Sequence, residues 1–177
     1  MGNYLFLALR TLAIVVIVAS VWPFFGDDYD GLVARVTTTL LQDGLTLRAV
    51  NGRFVLDSTI GGAGFGIHGD VLHFGLVLAL ALISATPNIG IIKVAAWLGA
   101  AAVLFSTLHV VGLAVLFSLV WRALTQEDNT TSFSGAMTGF AIFWALAPGV
   151  LAGAWCHRYW LPYLRGRDSI ASGERAL

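Results

Sequence analysis

"GGAGFGIHGDVLHFGLVLALALISA", residues 61–85, holds two incompatible signals. Its first part contains Gly64-Phe65-Gly66-Ile67-His68-Gly69, a letter-for-letter match to G-x-G-x-x-G. Its second part, from Asp70 on, is an apolar run broken by little more than His73 and Ser84. A dinucleotide fingerprint needs a preceding strand, a following helix within a soluble βαβ unit, and an acidic residue about 20 positions on. Here the following helix has the composition of a membrane span, and Asn88-Ile89-Gly90 stands where the carboxylate belongs. No nucleotide site is expected. The glycines instead read as the doorway of a membrane helix, letting the chain turn into the bilayer. Asp70 then suits the helix start, capping free N–H groups and meeting the positive end of the dipole.

The rest of the chain supports a membrane reading. Of 177 residues, 58% are hydrophobic and 11% are charged, against roughly 25% charged in ordinary soluble domains. The mean hydropathy is +0.82. A net charge of zero argues against a nucleic-acid footprint. One cysteine, Cys156, makes neither an internal disulfide nor a cysteine-rich zinc site.

A span needs about 20 mostly apolar residues. Four stretches qualify, so the expected fold is an α-helical integral membrane protein with four transmembrane helices and a small extracytoplasmic helix plus β-hairpin. The spans are residues 4–25, 71–90, 91–124 and 133–156, with the outer segment at 26–70 and a basic tail at 157–177. The third is uncharged from Val94 to Trp121, about 42 Å of helix, which predicts a tilted helix projecting past the bilayer. Arg10, Lys93, Arg158, Arg165, Arg167 and Arg175 fall on one side of this arrangement, which places both termini on the cytoplasmic side. Trp22 and Trp121 at outer ends, and Trp97, Trp155 and Trp160 at inner ends, fit the interfacial preference of indole. Val18-Ala19-Ser20 would be a tolerable cleavage site, but the apolar run continues through Trp22-Pro23-Phe24-Phe25, which favours a retained span.

In the outer segment, Leu32, Val33, Val36, Leu40 and Leu41 recur at helical spacing and predict a short amphipathic helix. Asn51-Gly52 between two alternating runs predicts a hairpin with a type I′ turn. In that register Val50 pairs with Arg53, Ala49 with Phe54, Leu47 with Leu56 and Thr46 with Asp57. Leu45, Leu47, Ala49, Phe54 and Leu56 then share an apolar face, which must rest on the surface helix, the lipid interface or another protein.

His68, Asp70 and His73 are close in sequence, and His109 reaches a similar depth on the third span. Ionisable residues within spans are functional candidates. The competing readings are hydrogen-bonded packing, a proton or partner role, and a metal site. Cys156-His157 resembles a nucleophile beside a base, but adjacent helical residues do not face one another. No catalytic residue, cofactor or metal ligand is therefore assigned. Pro148 is expected to kink the fourth span. Gly135/Gly139 and Gly149/Gly153, each four apart, fit close helix approach.

The order of parts resembles the small membrane proteins found with exosortase H in bacterial C-terminal sorting systems. The likeness lies in a first span ending near Trp22-Pro23, an outer helix and hairpin, the Gly64-Phe65-Gly66 entry to a second span, and two further spans. The resemblance implies a non-catalytic accessory protein beside an exosortase, a cysteine transpeptidase acting on the outer side. Cys156 falls on the other side, so this chain is not expected to be that enzyme. The expected partners are the lipid bilayer and a membrane protein, contacted through Leu47, Phe54, Leu56, Phe65, His73 and His109. The alternatives are a small transporter or channel subunit with an outer-leaflet histidine site, or a metal-dependent membrane enzyme.

Overall fold

The structure, a computed structural model, describes residues 2–58, 65–125 and 130–164. Helix α1 covers Gly2–Val21 and runs through a 3₁₀ turn, Trp22–Phe24, into α2, Gly26–Thr38. Strands β1 (Leu45–Val50), β2 (Arg53–Ser58) and β3 (Phe65–His68) follow. Then come α3 (Asp70–Ala85), α4 (Ile91–Thr125) and α5 (Thr130–Trp155), the last continuing through a π-helical turn at Cys156–Trp160.

Three helical stretches are long and apolar enough to cross a membrane: Leu5–Phe24, Ile91–Thr125 and Phe133–Leu164. Their outward faces are bare hydrocarbon. Leu5, Leu9 and Leu12 on α1, Val103 and Val115 on α4, and Leu146 and Val150 on α5 are all exposed. Such surfaces are stable only in an apolar solvent, as in a multi-pass membrane protein.

The expected second span, residues 71–90, is shorter than the sequence suggested. Helix α3 has 16 residues, about 24 Å at 1.5 Å per residue, against a hydrocarbon core of about 30 Å. Pro87 ends it: Thr86 is already extended, at ψ 123°, as the residue before a proline must be to avoid its ring. The helix is nonetheless central, packing against α1, α4 and α5. Gly75 makes this possible. A Cβ there would lie 2.8 Å from the Phe105 ring of α4 and 2.9 Å from Pro148 of α5. Arg10 of α1 donates to the Ser84 carbonyl and ties the far end. The apolar helical stretches Leu5–Phe24 and Ile91–Thr125 overlie the first and third of the expected stretches. The fourth runs on to Leu164, into the expected tail, and residues 165–177 lie outside the described residues.

The hairpin has the expected register, with Val50 opposite Arg53, Ala49 opposite Phe54 and Leu47 opposite Leu56. Asn51 and Gly52 both have positive φ, 51° and 69°, the mark of a type I′ turn. Arg48 and Asp57 form an ion pair on the outer face. The sheet also has a third strand. β3 pairs antiparallel with β2, setting Leu56 opposite Phe65 and Arg53 opposite His68. The second half of the glycine-rich motif is therefore a β-strand, and Gly61 to Gly64 lie outside the described residues.

The apolar face of the hairpin is covered by the chain itself. Leu45, Leu47, Phe54 and Leu56 form one core with Val33 and Ala34 of α2, Leu113 and Phe117 of α4, and Trp144 of α5. Helix α4 has 35 residues, about 52 Å, and the excess beyond a span is the wall on which the sheet rests. Helix α2 is the expected amphipathic helix. Its buried residues include Asp30, Val33, Ala34 and Thr37, while Leu32 and Val36, and Leu40 just past its end, are exposed. An exposed apolar stripe of this kind suits a helix lying on a bilayer surface.

Candidate functional site: a buried polar cluster between α2, α3 and α4

The sheet end of α3 meets α2 and α4 at four polar side chains. Asp30 is 2% exposed, His73 5% and His109 0%; Tyr29 is half-buried. Asp30 and Val33, Ala34 and Thr37 stand three, four and seven positions apart, on one face of α2. That face turns Asp30 toward α3, where the His73 Nε2–H donates to Asp30 Oδ1 at 2.7 Å. Tyr29, its neighbour, reaches sideways to α4.

On α4, His109 Nε2 faces the Leu72 carbonyl at 3.0 Å. A carbonyl only accepts, so Nε2 carries the hydrogen. Its Nδ1 lies 2.5 Å from the Tyr29 hydroxyl, which donates to it, and Ser106 donates to the Tyr29 oxygen at 3.5 Å. The hydrogen bonds thus run in one direction, from Ser106 to Tyr29 to His109 to the Leu72 backbone. Burial pushes the Tyr29 phenol above its ordinary pKa; the Ser106 hydrogen bond works against this, and the nearby Asp30 charge adds to it.

Aromatic rings seal the cluster. Trp22 lies 4.7 Å from the His73 ring, and Trp144 lies 5.0 Å from His109. The two imidazoles are 6.2 Å apart. Trp22 is positioned by the 3₁₀ turn, where Gly26 leaves room for its indole: a Cβ there would sit 2.8 Å from Nε1. Above the pair, Gly69 N–H donates to the Gly52 carbonyl at 2.8 Å, so the hairpin turn rests on the entrance to α3.

No match to a known protein was found: no family model, curated protein or solved structure is similar to this chain.

The geometry alone must then define the cluster. His73 and His109 do come together, as their calculated depths suggested. His68 and Asp70 do not join them. His68 is exposed on β3 opposite Arg53, and Asp70 is exposed in the first turn of α3. Nor does Asp70 cap the helix. The cap position is Gly69, with no side-chain hydrogen bond, so Asp70 contributes only its charge to the helix start. Among the described residues no group of three or more His, Cys, Asp or Glu is arranged to hold a metal ion. Cys156 is half-buried at the opposite end of the bundle.

Of the six residues expected to meet a partner, Leu47, Phe54 and Leu56 are core residues. Phe65 packs against Phe117 and Phe133, and His73 and His109 are buried with internal partners. The surface they were expected to offer is occupied by α2 and α4. Tyr29, Asp30, Trp22 and Ser106 were missed. Asp30 had a signal, an acid on the same helical face as Val33 and Thr37. Tyr29 and Ser106 had none.

Chemically, the cluster is a polar bolt. It holds α2, and with it the outer layer, against α3 and α4. An Asp–His pair could polarise a nucleophile, but the hydroxyls of Tyr29 and Ser106 are already engaged, Tyr29 donating to His109 and Ser106 to Tyr29.

Proposed function

We propose that this chain is a non-catalytic accessory protein of a bacterial inner membrane, with both termini in the cytoplasm, that binds and positions a partner membrane enzyme or its substrate. An exosortase-type sorting enzyme is the partner that the order of parts suggests. The observation carrying this reading is the groove between α4 and α5. It has a volume of 380 Å³ and is lined by Gly112, Val115, Gly135, Gly139 and Phe143 among others. A Cβ added at Gly135 or Gly139 would meet nothing within 4 Å. These glycines therefore do not serve packing inside the chain. A pair of glycines four apart on an exposed face lets a second transmembrane helix approach closely, and the groove is apolar along its length. The occupant we infer is a transmembrane helix of the partner enzyme.

The polar cluster supports the same reading, because it is spent on rigidity. Its donors and acceptors are largely used within the chain, and it fixes the outer layer over the groove's sheet end. The decisive experiment is co-purification of a co-expressed exosortase with the tagged chain. Gly135→Leu with Gly139→Leu is expected to abolish capture while leaving the amount of folded protein unchanged. Capture undiminished by this double substitution, or no capture by the parent chain, would remove the reading.

A further inference from the structure

We propose that the end of the bundle away from the sheet binds one anionic phospholipid, its phosphate held by Lys93 and Arg158 and one acyl chain lying in the cleft between α3, α4 and α5. Two adjoining hollows carry this. The first is a groove of 1030 Å³ formed by the Pro87–Lys93 segment with Trp97, Arg158 and Tyr159. Its lining contains two cations and no carboxylate. Both cations are exposed, and neither meets a carboxylate among the described residues. The segment also delivers the start of α4, whose first-turn N–H groups lack helical partners and add partial positive charge.

The second hollow is a cleft of 190 Å³ lined by Leu78, Leu82, Ala100, Leu104 and Trp155 among others. Trp97 lines both hollows. The cleft follows α4 from Trp97 to Phe105, about 12 Å at 1.5 Å per residue. A cationic mouth that shares the Trp97 wall with a narrow apolar slot matches an anionic amphiphile. A soluble anion would leave the slot empty, and a neutral lipid would leave both cations unmatched. The surroundings place the mouth at a membrane surface. Trp97, Trp155 and Tyr159 cluster beside it, with ring centroids 4.3–6.3 Å apart, as in an interfacial belt. Ile91 and Ile92, each 82% exposed, flank it at the start of α4. The short helix α3 creates the site: by stopping at Ala85 it leaves the mouth open below it. Lipid binding here is independent of any partner at the α4–α5 groove.

The test is native mass spectrometry of the full chain in detergent, titrated with phosphatidylglycerol and, separately, phosphatidylcholine of the same acyl chains. The parent chain is expected to retain one phosphatidylglycerol in preference to phosphatidylcholine. Each basic residue near a membrane surface contributes about a fivefold preference. Lys93→Gln with Arg158→Gln should therefore lower the preference about 25-fold, toward parity. Ala100→Phe, at an exposed position on the slot, should lower retention of both lipids. Thermal melting without added lipid checks that the variants are folded. Equal retention of the two lipids by the parent chain overturns the proposal. So does a preference that survives the double substitution, or retention untouched by Ala100→Phe.

Discussion

Asp30 and His73 lie 43 positions apart and bond at 2.7 Å in the interior, joining the helix beneath the sheet to the central helix of the bundle. The bond sets a direction of dependence. The sheet and α2 bury their apolar faces on α4, but Asp30 and Tyr29 decide at which height and angle α2 docks.

Removing one member of this pair should cost more than removing both. Asp30→Ala leaves the His73 Nε2–H buried without an acceptor, in a ring whose Nδ1 already lacks a partner. Leaving a buried polar group without its hydrogen-bond partner costs about 1–3 kcal/mol. The expected outcome is a large fall in thermal stability in detergent. Asp30→Leu combined with His73→Leu, which replaces the pair by hydrocarbon, should recover most of it. A double variant as unstable as Asp30→Ala would show that the pair does more than fill space and satisfy polarity.

Tyr29→Phe removes the donor to His109 Nδ1 and the acceptor for Ser106. The cost of leaving such a buried group unpaired is about 1–3 kcal/mol. The phenol also gives a pH signature. Because its pKa is raised in the folded state, its contribution is fully present below the unfolded tyrosine pKa of about 10 and is lost as pH rises through the higher folded value. Stability measured against pH should fall more steeply above about pH 10 in the parent chain than in Tyr29→Phe. Parallel curves would mean that this hydroxyl does not feel its burial.

Gly75 and Gly99 separate packing from helix propensity. Both lie inside helices, where glycine is about 1 kcal/mol worse than alanine. At Gly99 a Cβ meets nothing within 4 Å, so Gly99→Ala should stabilise modestly. At Gly75 it meets Phe105 at 2.8 Å and Pro148 at 2.9 Å, and overpacking costs about 1–3 kcal/mol. Gly75→Ala should therefore destabilise despite the better propensity, by urea or thermal unfolding of the same preparations.

How far the sequence could lead follows from what kind of signal each element left. The hairpin was legible to the residue because Asn51-Gly52 sets turn type and register together. The long third helix was legible because no charge interrupts it from Val94 to Trp121. The second span was read too long because hydropathy does not register backbone geometry: Ile89, Ile91 and Ile92 continue the apolar count past Pro87, which stops the helix. Strand β3 was hidden because Phe65 and Ile67 alternate over only four residues inside a glycine-rich stretch, and β2's free edge is a tertiary fact. The cluster was half legible. His73 and His109 stand out as ionisable residues in apolar runs. Asp30 is masked by Asp27 and Asp28, which lie on the exposed side of the same helix, and Tyr29 by the ordinariness of a tyrosine near an interface.

Thr86 is the counterpart of the cluster at the other end of α3, and it offers a prediction of its own. The side chain is 4% exposed and fully used. Its hydroxyl donates to the Leu82 carbonyl at 2.7 Å and accepts from the indole N–H of Trp155 at 2.8 Å and of Trp160 at 3.2 Å. A threonine oxygen has one hydrogen and two lone pairs, so this arrangement saturates it. Thr86→Val keeps the shape and removes all three bonds, leaving two indole N–H groups to find other acceptors. The expected loss is about 1–3 kcal/mol, smaller if the half-buried indoles turn to water. Thr86→Ser keeps the oxygen and should lose less. The measurement is thermal unfolding followed by tryptophan emission, since Trp155 and Trp160 report directly on the altered bonds. If Thr86→Ser were destabilised and Thr86→Val were not, the lost methyl and not the shared oxygen would be what anchors the end of α5 to α3.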